Sequence, residues 1–163
     1  MPAATFFYLL LGLVAAAETG LLGYLVHEFE DNGYPAGRGS NGTPNQMRVL
    51  IILLLFTASW TTLFAFVFFC FVARGTFAAL AGLGTSLLWL AVTIVLWAVS
   101  TTFFHRIRIG GECEGEPTIS LCRQLETVEA LGWTALGLAG LTLIATFFSW
   151  RSYRSYRRGG YRV

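Results

Sequence analysis

The chain has no lysine, and only 12% of its 163 residues are charged. A soluble domain carries about 25% charged residues, so a globule coated for water is excluded. Histidine is scarce, with two residues, and three cysteines are too few for a disulfide-built secreted miniprotein. His27 and His105 sit at the ends of apolar runs, where interfacial anchoring is the expected role, and no HExxH or CxxC spacing accompanies them. There is no GxxxxGK[ST] nucleotide loop, and Cys113 and Cys122 stand too far apart for a redox CxxC pair. The arginines lack the folded polar surface on which a nucleic-acid binder displays its charge. These absences lead us to expect no enzyme, no cofactor, no metal centre and no nucleic-acid partner.

Apolar material is abundant. Hydrophobic residues make up 55% of the chain, aromatic ones 15% with 14 Phe and 5 Trp, and the mean hydropathy is +0.63. A hydrocarbon core of ~30 Å takes about 20 apolar residues in helix. Four runs meet that length, at residues 5–26, 49–72, 76–104 and 128–150, and none has an internal proline. The expected fold class is all-α, an integral membrane four-helix bundle over residues 1–150 with a basic tail at 151–163. The third run is long enough to tilt or to project beyond the lipid. Ala15-Ala16-Ala17 before Glu18 resembles a signal-peptide cleavage site, but no Lys or Arg precedes it, so the first run is read as a retained helix.

An even number of spans places both termini on one side. Arg151, Arg154, Arg157, Arg158 and Arg162 follow the last span, and Arg74 lies in the short turn between the second and third. The positive-inside rule assigns that side to the cytoplasm. The bias is incomplete, because Arg48, Arg106, Arg108 and Arg123 fall on the other side among Glu28, Glu30, Asp31, Glu112, Glu114, Glu116 and Glu126. Next to the membrane, the tail arginines with Tyr153 and Tyr156 suit anionic headgroups, at about 1 kcal/mol per basic residue. They also serve as a stop-transfer flank.

On the opposite side, Cys113 and Cys122 flank Glu-Gly-Glu-Pro-Thr-Ile-Ser-Leu. In an oxidising compartment they can be bridged, for somewhat less than ~3 kcal/mol in the chain-entropy model; two free thiols are the alternative. Cys70, inside the second span, reads as a small apolar filler. Asn41-Gly42-Thr43 is a formal glycosylation acceptor.

Lipid tails are as apolar as leucine, so helices associate through small residues and polar contacts. Gly12, Ala16, Gly20 and Gly23 line one face of the first helix and are expected to meet a neighbouring backbone. Ala78 with Gly82, and Ala135 with Ala139, repeat the small-xxx-small spacing. The second helix, with Phe56, Phe64, Phe66, Phe68, Phe69 and Phe71, is expected to face lipid. Glu18 lies nearly opposite the glycine stripe at 100° per residue. An intramembrane acid is by default a functional-site hypothesis; a neutral carboxyl bonded to a neighbouring helix and a hydrated acid near the interface are the alternatives. Glu129 opens the fourth helix, where an acid favours the dipole.

Four spans, both ends inside, a short inner turn and paired cysteines in the second outer loop together resemble the MARVEL-domain proteins. Cys122-Arg123-Gln124 followed by Val128-Glu129-Ala130-Leu131-Gly132-Trp133-Thr134 is similar to small fungal members of that family. The resemblance implies a bilayer-embedded bundle associated with membrane microdomains, vesicle traffic and membrane apposition, without catalysis, and with Cys113–Cys122 as the outer-loop disulfide. Claudin-like tetraspans fit less well, since the loop from His27 to Met47 has no Cys or Trp. The expectation is a non-enzymatic plasma-membrane protein that organises its surroundings. Its expected partners are membrane lipids (sterol or anionic lipid), a second copy, or a larger membrane protein. A small accessory subunit of a membrane enzyme or transporter is the alternative, and a transporter or channel using Glu18 is a third.

Overall fold

Within hydrocarbon every backbone N–H and C=O must be bonded internally, which an α-helix achieves along its own length. The computed structural model consists of four helices, α1 (Pro2–Asn32), α2 (Pro44–Ala73), α3 (Leu83–Arg108) and α4 (Leu121–Gly159). The structure describes residues 2–33, 44–73, 83–108 and 120–159, and no strand occurs among them. Each helix contains a stretch long and apolar enough to cross a membrane, Ala4–Asp31, Asn45–Phe71, Gly84–Ile107 and Cys122–Ser149. The chain is an all-helical protein with four candidate spans.

Most helices outrun the apolar runs that announced them, and their ends have local causes. Proline fits the first helical position, where its missing N–H has no partner to lose, and α1 and α2 both begin there, at Pro2 and Pro44. α1 continues through the largely polar stretch 27–32, in which Phe29 alone is apolar and buried, until Gly33, whose φ of 84° is the left-handed conformation glycine adopts without strain. The Gly33 N–H donates to the Phe29 carbonyl at 3.0 Å and closes the helix. α4 starts seven residues before the expected 128, at Leu121. There the Ser120 side chain accepts a bond from the Arg123 N–H, capping the first turn. α3 starts at Leu83, so Ala78 and Gly82 lie outside the described residues.

A seam of buried positions with 4-3 spacing runs along every helix, with Gly12, Thr57, Trp89, Thr101 and Glu129 buried beside it. In α1 the seam positions are Ala4, Tyr8, Leu11, Ala15, Glu18, Leu22, Leu25 and Phe29. In α2 they are Met47, Ile51, Leu54, Ala58, Thr61, Ala65 and Phe68. α3 follows with Ser86, Leu90, Thr93, Trp97, Ser100 and Phe104, and α4 with Leu125, Val128, Gly132, Ala135, Ala139, Thr142 and Thr146. A repeat averaging 3.5 residues keeps one seam facing its neighbours when helices cross at a shallow left-handed angle of about +20°. α1 packs against α2 and α4, and α3 against α4 and α2, closing a ring of four. Consecutive helices run antiparallel: Gly12 meets Ala65 while Tyr8 meets Phe68, and Thr101 meets Gly132 while His105 meets Glu129.

The close backbone approaches are not where the small-residue stripes placed them. An ideal Cβ built on Gly20 or Gly23 has nothing within 4 Å, and both glycines are exposed; only Gly12 touches a neighbour, with Ala65 Cβ at 3.4 Å. The inward face of α1 is the opposite one, the face of Glu18. Ala135 and Ala139 do lie in the core. The tightest crossing involves Gly132, where a Cβ would sit 2.8 Å from Thr101 Oγ1 and 3.2 Å from its Cγ2. α2 also departs from expectation in part. Phe56, Phe66 and Phe71 are exposed, but Phe68 is buried and Phe64 and Phe69 pack beside it.

Gly132→Ala is therefore expected to destabilise the bundle by about 1–3 kcal/mol, the usual result of overpacking. Thr101→Ala in the same chain should restore most of the loss, while Gly20→Ala and Gly23→Ala should not lower stability. Thermal unfolding followed by circular dichroism in detergent distinguishes the four.

Candidate functional site

Many polar side chains within the spans lie on the inward face, although Ser59, Thr85, Thr102 and Thr134 are exposed. Glu18, Thr57, Thr61, Ser86, Thr93, Ser100, Thr101, Glu129, Thr142 and Thr146 are all buried. A polar group left against lipid would have no partner, which drives it toward other helices. Several hydroxyls are satisfied by their own helix, as Thr57, Thr61 and Thr142 each donate to the carbonyl four residues back, at 2.7–2.9 Å.

Three cross-helix contacts pin the bundle at three depths. At the end nearer the chain termini, Tyr8 Oη of α1 bonds Ser86 Oγ of α3 at 2.5 Å and lies 3.4 Å from Thr146 Oγ1 of α4. Around it, Phe64 and Phe68 of α2 and Trp89 of α3 form an aromatic group, with Phe68 and Trp89 centroids 5.2 Å apart. In the middle, Trp97 Nε1 donates to Thr61 Oγ1 at 3.1 Å. At the end where the α1–α2 and α3–α4 connections lie, His105 Nδ1 of α3 pairs with Glu129 Oε1 of α4 at 2.5 Å. Trp133 stands edge-on to that imidazole, 6.5 Å away at 76°. His105 is thus half of an interhelical pair and not merely an interfacial anchor, and Glu129, eight residues past the start of α4 and beyond the reach of its dipole, serves as the other half.

Glu18 sits between these levels. It is fully buried, and neither carboxyl oxygen has a hydrogen-bond partner. Tyr8 and Ser86 fix the relative height of α1 and α3. Ten residues further along each helix, about 15 Å at 1.5 Å per residue, Glu18 comes level with the neighbourhood of Trp97. Thr93, on the seam, lies about one turn below Trp97 and Thr101, beside the seam, about one turn above it, and their hydroxyl oxygens are also buried without a partner. Sequence reasoning singled out the acid but not these two threonines. The signal was available in part, since Thr93 occupies an inward 4-3 position of α3 and Thr101 adjoins one at Ser100.

Other expected sites are placed less fully. Cys70 is free and exposed, whereas Cys122 is not a free thiol; Cys113 and Asn41 lie outside the described residues. Arg151 is exposed, and positions 154, 157 and 158 continue α4, while Arg162 lies outside the described residues. His27 is exposed, consistent in position with a span end. No group of three or more His, Cys, Asp or Glu side chains able to hold a metal occurs among the described residues.

The chain matches no protein-family description, no curated protein and no solved structure. Its reading rests on the bundle itself.

Tyr8→Phe removes the shared hydroxyl while leaving Ser86 and Thr146 buried. A loss of about 1–3 kcal/mol is expected, the penalty for stranding buried polar groups. Ser86→Ala combined with Tyr8→Phe should cost less than the sum of the single changes, which a double-mutant cycle in thermal unfolding reads directly.

Proposed function

We propose that the chain is a non-enzymatic four-span membrane protein that acts through its lateral surface, organising lipids or other membrane proteins around it. The observation that carries this reading is a filled interior beneath an apolar exterior. Phe29, Met47 and Phe104 occupy the core at one end, Trp97 the middle, and Tyr8 with Phe68 the other, each no more than 9% exposed. Only 28–39% of each candidate span is buried inside the bundle. Large apolar side chains such as Phe6, Phe56, Leu88, Phe103, Leu141 and Phe148 point outward. A plugged interior supports work on the outer face over passage along Glu18.

The finer reading is a MARVEL-like protein of the plasma membrane or secretory pathway, with cytoplasmic termini and anionic lipid held near Arg151, Arg154, Arg157 and Arg158. It draws on the arginine distribution and on the paired loop cysteines. The Cys113–Cys122 bridge belongs to it, supported by Cys70 being free while Cys122 is not. An accessory subunit would use the same outward face, covered by the helices of a larger partner.

Crosslinking in native membranes followed by native mass measurement in lipid discs tests the reading. Retained lipids, a second copy or varied membrane neighbours are expected. A single stoichiometric large partner would replace the organiser reading with the subunit one, and a bare monomer without lipid or neighbour would remove both. For the bridge, alkylation under non-reducing conditions should modify one thiol, that of Cys70; modification of all three cysteines would refute it.

A further inference from the structure

Helical threonines in this bundle ordinarily turn the hydroxyl back on the carbonyl one turn earlier, as Thr57, Thr61, Thr62, Thr134 and Thr142 do. Thr93 and Thr101 are buried and do not, and Glu18 is buried with both oxygens unengaged. By helix register, Glu18 of α1 comes level with Trp97 of α3, and Thr93 and Thr101 stand about one turn to either side of that level. Buried polar groups in native proteins are nearly always satisfied, so an unengaged set of this kind points to an occupant.

The chemistry of the donors defines the occupant. A carboxyl inside a membrane bundle is either neutralised by a proton or, if ionised, set beside another positive charge. The buried residues at that level are Thr57, Ala58 and Thr61 of α2, Thr93, Trp97, Ser100 and Thr101 of α3, and Gly132, Ala135 and Ala139 of α4. None of them is titratable or charged, and the nearest ionisable pair, His105 with Glu129, is already self-paired at the far end of α3. The neutralising charge must therefore come from solution. One acid takes one charge, and hydroxyl and carboxyl oxygens suit hard cations.

We propose that Glu18 anchors an internal site for a single monovalent cation, a proton or an alkali-metal ion, with the unengaged hydroxyl of Thr93 or Thr101 as an additional oxygen ligand. Thr101 Oγ1 lies on the α4 side, against Gly132, whose missing side chain leaves room for it. The site does not rest on the lateral-surface reading, since a bundle with no partner at all would still hold its ion.

Infrared difference spectroscopy of the full chain in neutral-lipid vesicles tests this, with Glu18→Gln as the reference that isolates the Glu18 carboxyl band and Glu18→Asp as a second reference should the first not fold. Samples are equilibrated overnight along two series. In one, sodium chloride replaces choline chloride at fixed pH; in the other, pH rises from mildly acidic to mildly basic without alkali ions. Conversion or displacement of the Glu18 band by sodium identifies an alkali ion, and conversion by pH alone identifies a proton; either supports the site. A Glu18 band fixed in form and frequency along both series overturns it. Thr93→Val or Thr101→Val should raise several-fold the sodium or proton concentration needed for half-conversion. If neither does, the threonine ligand is refuted.

Discussion

The structure depends on one constraint, that helices in lipid gain nothing from hiding apolar surface and must be held by fit and by polar contact. The seven-residue seam answers it. It sets Ala15, Ala58, Ala65, Ala135 and Ala139 among larger buried residues, and small residues let neighbouring helices approach closely. Gly132 against Thr101 is the extreme case, and Gly12 against Ala65 a milder one. The exposed glycines of α1 contribute nothing of this kind within the bundle.

Fit alone leaves helices free to slide by a heptad, because an apolar seam looks much the same one repeat along. The polar contacts remove that freedom. Tyr8 with Ser86 sets α1 against α3, Thr61 with Trp97 sets α2 against α3, and His105 with Glu129 sets α3 against α4. A shift of one turn would break each contact and leave its partners buried and unpaired. α3 takes part in all three and so acts as the reference for the other helices. The α2–α3 contact, the thinnest side of the ring, is also the one reinforced by aromatic stacking around Trp89.

The number of helices and their approximate spans could be read from the sequence, because uninterrupted apolar runs of membrane length have few other fates. The inward faces were harder, for a physical reason. Where lipid lies outside and packing inside, both sides of a helix are apolar, and the usual contrast between a greasy and a wet face vanishes. Small residues were the wrong guide for α1, where Gly20 and Gly23 face outward. Polar residues were the better one. Glu18, Thr57, Thr61, Thr93 and Thr142 all mark buried seam positions or their immediate neighbours. Taking Glu18 as the inner landmark would have turned α1 the right way round. The early start of α4 escaped notice because Arg123, Gln124, Glu126 and Thr127 interrupt the apolar run, although Leu125 already sits on the seam.

α4 extends ten residues past its candidate span, from Ser149 to Gly159, as one unbroken helix. That is a rod of about 15 Å at 1.5 Å per residue, so its basic end is a lever and not a tether. A continuous helix fixes positions 151–158 in height and rotation relative to the seam that ends at Thr146.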